Sequence, residues 1–277
     1  MFNPASIPIC DNKRFRFGDN WSNFLSHIND NNIYYAEAVL KEGLGVETLE
    51  GKRFLDIGSG SGLMSLAARR MGATVYSFDY DTQSVACTEY LRDLYFKEDD
   101  RWTITQGSVL DADFMSSVGQ FDICYAWGVL HHTGDLWKSI AHAQIPLVAD
   151  GLLYLAIYND QGVISTFWRI IKRTYCTNRI CAFLLTLIFY PLFFLMGLVT
   201  DLFRLKNPCE RYRDHVKLRG MSLIIDWKDW LGGYPYEVAS PKMVTRYFVK
   251  RGFKLQWHVK PPIGFGNNQF VFKHTSS

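Results

Sequence analysis

Lys52 to Ile57 is a short apolar run that leads into three glycines separated by single serines, Gly58, Gly60 and Gly62. Leu63 to Arg70 follows, with apolar positions recurring at helical spacing. The pattern predicts a buried strand, a tight loop and a helix. Ala73 to Phe78 reads as a second strand, with Asp79 just past its end. Strand, helix and strand together form one unit of a parallel α/β sheet. Further along, Ile180 to Thr200 is a run of 21 residues without a charge. By length alone it reaches across a bilayer.

The loop and the acid carry chemistry. Glycines serve where the backbone turns sharply and approaches a ligand with no Cβ in the way. A carboxylate at the end of the next strand, as at Asp79, can accept hydrogen bonds from both hydroxyls of a ribose. The spacing separates two classes of nucleoside cofactor. A dinucleotide loop, Gly-x-Gly-x-x-Gly, counted from Gly58 requires glycine where Leu63 stands; counted from Gly60 it requires glycine where Ser65 stands. Neither register fits.

Asp56-Ile57-Gly58-Ser59-Gly60-Ser61-Gly62 instead resembles motif I of the class I S-adenosylmethionine-dependent methyltransferases, in the style of the ubiquinone-type (type 11/12) O-methyltransferases. The resemblance continues in order. Gln106 to Asp111 stands where the family has its adenine-contacting turn, with Ser108 at a position often held by Asp. Phe121 to His132 resembles the fourth strand and the segment after it, and Gly151 to Asn159 the fifth strand. Ser240-Pro241 with Met243 to Gly252 fits the late helix, and Asn268 to Lys273 the last strand.

The resemblance implies a Rossmann-like, doubly wound α/β fold with seven strands and S-adenosyl-L-methionine as cofactor. Asp56 would face the methionine part, and Gly58, Ser59, Gly60 and Gly62 would cradle the cofactor. Asp79, Tyr80, Ser108, Val109 and Trp127 would complete its pocket. The implied organisation is an N-terminal helical or lid segment over 1–50, a cofactor-binding core over 51–160, a helical, apolar and basic insertion over 161–233, and a C-terminal helix and strands over 234–277. The aromatic segment Phe15 to Trp21 is a candidate lid over the cofactor; core packing is its alternative.

Composition narrows the setting. With 277 residues, 48% hydrophobic and 21% charged, the chain is globular and can hold a large core. Its six cysteines form no Cys-x-x-Cys pair, which indicates neither a zinc site nor a disulfide framework, and no metal is expected. Met1 to Asn20 is polar and carries prolines and charges, unlike a signal sequence. These features point to a reducing cytoplasm.

The insertion departs from the rest of the chain. Gln161 to Gly220 carries ten Lys or Arg against three Asp or Glu, a net +7 in a chain of net +3. Lys172, Arg173 and Arg179 precede the apolar run, and Arg204, Lys206, Arg211 and Arg213 follow it. A single crossing is disfavoured, because the strands on either side must join one sheet. Pro191 in mid-run predicts two short apolar helices or a kinked one. A hairpin over 180–203 lying in an anionic membrane surface, at the inner face of the cytoplasmic membrane, satisfies both the apolar residues and the cations. A buried helical lid or a dimer interface fits equally well. Nucleic acid is disfavoured as a partner, because the apolar block interrupts the basic residues and the net charge is small.

Methyl transfer is an in-line displacement, so positioning the acceptor dominates, and an oxygen acceptor also benefits from a base. In the resembled family, residues after the fourth strand face the transferred methyl. This makes His132 the candidate base and His131 its support, with Tyr158 beside them. Either histidine could equally cap or pack the helix starting near Asp135. Asn159, Tyr234 and Glu237 are candidates for the acceptor pocket, although glycine-proline turns such as Gly232 to Glu237 often only connect elements; Asp160 reads as a polar turn. The leading expectation is O-methylation of a small or lipid-linked acceptor. The alternatives are an enzyme acting on RNA or protein, or a catalytically silent module that binds a partner through its apolar insertion.

Overall fold

In the computed structural model of the chain, seven strands pair in the order β3-β2-β1-β4-β5-β7-β6. Described are Phe15, Phe17, Gly18, Trp21, Leu25 and residues 28–211, 223–261 and 266–275. The elements in chain order are α1 (Asp30–Leu44), β1 (Arg53–Ile57), α2 (Leu63–Arg70), β2 (Thr74–Asp79), α3 (Thr82–Tyr95), β3 (Trp102–Gln106), α4 (Ala112–Ser117) and β4 (Phe121–Trp127). A 3-10 turn (Leu130–His132), α5 (Leu136–His142), β5 (Leu147–Tyr158), α6 (Val163–Tyr175), α7 (Arg179–Phe203), α8 (Leu223–Gly232), α9 (Pro241–Val249), β6 (Phe253–Val259) and β7 (Asn267–His274) follow.

β1 to β5 run parallel, and β7 inserts antiparallel between β5 and β6. Parallel strands joined through helices are covered on both faces, which is why they read as apolar runs. One face packs Leu55, Ile57, Cys124, Leu155 and Phe270 into a core, and the other packs Phe54, Val75, Trp102 and Tyr125 against Leu40 and Leu66 of the helices. The chain reverses direction across the sheet between β1 and β4, and the C-terminal ends of these strands open the crevice in which such sheets bind ligands.

The predicted strand, loop and helix fall within a residue of β1, the glycine loop and α2, and Asp79 is the last residue of β2. β5 begins earlier than the apolar run, at Leu147, and carries an irregularity where Asp150 adopts φ 59°. The insertion corrects one expectation. Arg179 to Phe203 forms a single continuous helix with Pro191 inside it, not a hairpin of two short helices.

That helix survives its proline through packing. Phe189 and Phe193 of α7 meet Trp168 of α6, with centroids 5.5 and 6.4 Å apart, and Phe193 also meets Trp227 of α8 at 5.9 Å. Loss of one backbone hydrogen bond at Pro191 costs about 3 kcal/mol. Burial of aromatic rings on both sides of the break offsets it.

Candidate active site

Gly58, Gly60 and Gly62 all adopt positive φ, at 75°, 56° and 82°. A Cβ on Gly58 would sit 2.5 Å from Val129, which enters the 3-10 turn, so the loop and the histidine segment are packed together only because this side chain is missing. The loop is tied down by its neighbour strand: Gly58 and Ser59 donate to the Phe78 carbonyl at 2.8 and 3.1 Å. Ser59 Oγ lies 2.9 Å from Thr88 Oγ1 of α3, inside the protein.

Asp79 closes the crevice opposite. Its Oδ2 accepts from Gly60 N at 3.0 Å and its Oδ1 from Asp81 N at 2.9 Å. Burial pushes its carboxyl up to about 6, against the opposing effect of these backbone donors. Tyr80, next along, is exposed, with its carbonyl receiving Gln106 Nε2 at 3.2 Å. Asp56, near the end of β1, is buried. Ser65 Oγ donates to Asp56 Oδ2 at 2.5 Å, Ser65 and Ser77 hydroxyls meet at 2.7 Å, and Trp102 Nε1 donates to Ser77 at 2.9 Å. Burial raises Asp56 to about 7. The carboxylate expected to face the methionine part of the cofactor thus anchors a buried network between β1, α2 and β2.

Gly107 and Ser108 follow β3, as the adenine-side turn requires, with Gly107 N bonded to the Asp79 carbonyl at 3.0 Å. Ser108 Oγ accepts from Leu110 N at 3.2 Å, whereas the Val109 side chain belongs to the core and its carbonyl faces His142 Nδ1 at 2.9 Å. Trp127, at the end of β4, remains partly exposed and reaches Gln269 through Nε1 at 3.3 Å.

The two histidines differ sharply. His131 is fully buried, accepts from Tyr158 N through Nδ1 at 3.4 Å, and has no hydrogen-bond partner at Nε2. Burial first, then His132 and Lys172, hold it well below the ordinary imidazole value, so it is neutral. His132 is half-buried, and its Nδ1 stands 2.7 Å from the Pro235 carbonyl. A carbonyl can only accept, so Nδ1 carries the proton and the basic lone pair lies on Nε2. The ring sits among His131, Phe17 and Tyr158, with centroids at 4.4, 4.9 and 5.5 Å.

The other candidates divide. Tyr158 lines the same hollow, 4.0 Å from the His131 ring and 5.2 Å from Tyr236. Asn159 is engaged structurally, receiving Asn268 Nδ2 on Oδ1 at 2.9 Å, and Asp160 Oδ1 closes a turn with Gly162 N at 2.8 Å. Glu237 turns to Gly134 N at 3.1 Å, beside the start of α5, and burial raises its carboxyl. Asn159 and Glu237 thus each tie neighbouring elements together. Tyr234 holds the N-terminal segment, its carbonyl accepting Phe15 N at 2.8 Å.

That segment crosses the site. Phe17 touches His132, Gly18 N donates to Asp81 Oδ2 at 3.0 Å, and a Cβ on Gly60 would lie 3.1 Å from Trp21. The segment therefore covers both the histidine and the glycine loop, as a lid does. Arg16, Asp19 and Asn20 of the expected lid lie outside the described residues.

Lys172 corrects a second expectation. Its sequence position groups it with the cations flanking the apolar run, yet it is fully buried, donates to the Trp230 carbonyl and lies over the rings of Trp230 and Tyr236 at 4.3 and 5.1 Å. Burial pulls its ammonium down to about 7, and Asp229 opposes the shift. The available signal was α6 itself: Ser165 and Lys172 share its inward face while Val163, Ile164, Phe167 and Ile170 face outward. Arg211 is likewise committed, paired with Asp201 at 2.6 Å through both guanidinium contacts, and Arg213 lies outside the described residues. Cys176 is disulfide-bonded, which the scattered cysteines did not suggest.

Residues 55–153 match the methyltransferase domain family. A ribosomal protein L11 methyltransferase of Wolinella succinogenes is 36% identical over 83 residues, 30% of this chain and 28% of that protein. The magnesium protoporphyrin IX methyltransferase ChlM of Synechocystis PCC 6803, solved with bound S-adenosylhomocysteine, superposes with TM-score 0.55 at 13% identity, covering 93% of this chain and 94% of its own. Residues 55–153 thus form a methyltransferase domain, on the fold of the class I S-adenosylmethionine-dependent methyltransferases. YcgJ of Bacillus subtilis gives TM-score 0.52 at 13% identity, covering 88% of this chain and all of its own. At such identities the structural likenesses speak for the fold.

The methyltransferase domain fits its cofactor. The three left-handed glycines let the loop turn tightly between β1 and α2, Asp79 offers carboxylate oxygens to a ribose beside it, and Gly128, also at positive φ, has open space among the described residues where its Cβ would be.

Proposed function

We propose that the chain methylates an oxygen of a small or lipid-linked acceptor, with His132 as the general base. The orientation of His132 carries this reading: the Pro235 carbonyl fixes the proton on Nδ1 and so puts the basic lone pair on Nε2 of a ring that meets Tyr158 edge-on. S-adenosylmethionine supplies an electrophilic methyl group when bound. Gly58, Gly60 and Gly62 admit the cofactor, Asp79 receives its ribose, and Phe17 and Trp21 exclude water from above. His132 then takes the acceptor's hydroxyl proton while Tyr158 and Tyr236 pack its apolar part. Buried, neutral His131 positions the neighbouring ring. The name of the Wolinella relative belongs to a match confined to 30% of this chain and supplies no argument for a protein acceptor.

The test is a methyl-transfer assay over small and lipid extracts, paired with calorimetry of S-adenosylmethionine binding. His132→Ala should lower turnover at least about a hundredfold and leave cofactor affinity unchanged. A near-normal rate removes His132 as base, and a chain that binds cofactor yet methylates nothing in either extract removes the acceptor class.

A further inference from the structure

α7 is inside out for a helix on a water-facing surface. Its inward stripe, Ala182, Thr186, Phe189 and Asp201, is buried, while the opposite face presents Leu184, Ile188, Leu195 and Leu202, all more than half exposed. A helix whose outer face is apolar for 25 residues, about 37 Å, would carry polar groups there if water were its surroundings. α6 extends the patch with Val163, Ile164, Phe167 and Ile170. Such an area is far beyond the isolated apolar residues of ordinary surfaces.

Charge says what covers it. From Gln161 to Thr200 the sequence contains no Asp or Glu, and the first carboxylate after it, Asp201, is buried and paired with Arg211. Exposed cations stand at both ends of α7: Arg173 and Arg179 near its start, Arg204 and Lys206 at its finish. An apolar stripe bordered at each end by cations, with no carboxylate on it, matches acyl chains beneath anionic headgroups.

Crossing the bilayer is incompatible with the packing. Trp168 of α6 lies against α7 at Phe189 and Phe193, and one turn later Lys172 is buried on Trp230 of α8, so the middle of α7 is fastened to the body of the protein. We propose that the outer faces of α6 and α7 seat the protein in the plane of an anionic bilayer surface. α6 starts five residues beyond the end of β5, at the ligand-binding edge of the sheet, so the seat adjoins the side from which an acceptor enters. The proposal rests on the surface alone and stands independently of methyl transfer.

Vesicle flotation tests it with the full chain. Phosphatidylglycerol-containing vesicles should capture the protein at least about tenfold better than pure phosphatidylcholine vesicles, and 0.5 M salt should erase most of that difference. The variant I188Q/L195Q/L202Q changes only exposed positions. It should keep its melting temperature and lose at least about tenfold in vesicle partition, while R204Q/K206Q should lose several-fold on anionic vesicles only. Undiminished binding by the triple variant would overturn the proposal, as would equal capture by neutral and anionic vesicles. Failure to bind either vesicle, with a dimer that the triple variant dissociates in sedimentation, would reassign the face to a second copy of the chain.

Discussion

Asp79 accepts two backbone hydrogen bonds and still has its carboxyl raised to about 6, because burial outweighs them. The consequence has a definite sign. Only the carboxylate can accept from both ribose hydroxyls, so cofactor affinity should hold above pH 6 and fall roughly tenfold for each unit below it. Calorimetry between pH 5 and 8 measures this directly. Asp79→Asn should bind weakly at every pH and lose the dependence. Asp79 was legible in the sequence because its place depends on a strand end a few residues away. The orientation of His132 was not, since the carbonyl that sets its tautomer belongs to Pro235, 103 residues later. The hydrogen-bond network of Asp56 was equally hidden, because Ser65 and Ser77, its members, sit on two separate elements.

The glycine loop acts as an element through what its residues lack. A Cβ at Gly58 would stand 2.5 and 2.6 Å from the two methyl carbons of Val129, and φ there is 75°. Gly58→Ala should therefore push the loop from the histidine segment, with a destabilisation of about 1–3 kcal/mol from the strained backbone. Cofactor binding should weaken at least tenfold, measured by thermal melting and calorimetry on the same sample. This loop was visible in sequence because the glycine requirement is local. α6 and α7 were visible only in part. Their apolar residues announced helices, but which face would turn inward depended on Trp168, Trp227 and Trp230 meeting in space, with Trp168 and Trp230 5.3 Å apart. Pro191 likewise left open two short helices or one kinked helix, and tertiary packing keeps a single helix.

At the scale of the whole molecule, Lys172 couples the insertion to overall stability. Its ammonium titrates near 7 in the fold and near 10.5 when exposed. The unfolded chain thus binds the extra proton above pH 7, and folding stability gains from this residue as pH rises through that window. The gain approaches about 1.4 kcal/mol per unit. Buried tyrosines and Cys124, whose values are raised, begin to oppose it above about pH 9. Denaturant titrations at pH 7.5 and 8.5 should show the native chain gaining about 1 kcal/mol over Lys172→Met, a difference that vanishes if the lysine is solvated.

The sequence by itself determined the strand, glycine loop and helix, the acid at the end of β2, the domain family and the anomalous charge and apolarity of the insertion. Each depends on residue types within one turn or strand, where backbone sterics and hydrophobic period decide the outcome. The tertiary structure alone decided that Asp56 is buried, that Lys172 is buried over aromatic rings while Arg173, Arg179, Arg204 and Lys206 of the insertion stay outside, that Pro235 orients His132, and that the apolar face of α7 points away from the protein. Those outcomes depend on contacts between residues far apart in the chain, whose burial and partners exist only once the sheet and the helices α6, α7 and α8 have packed.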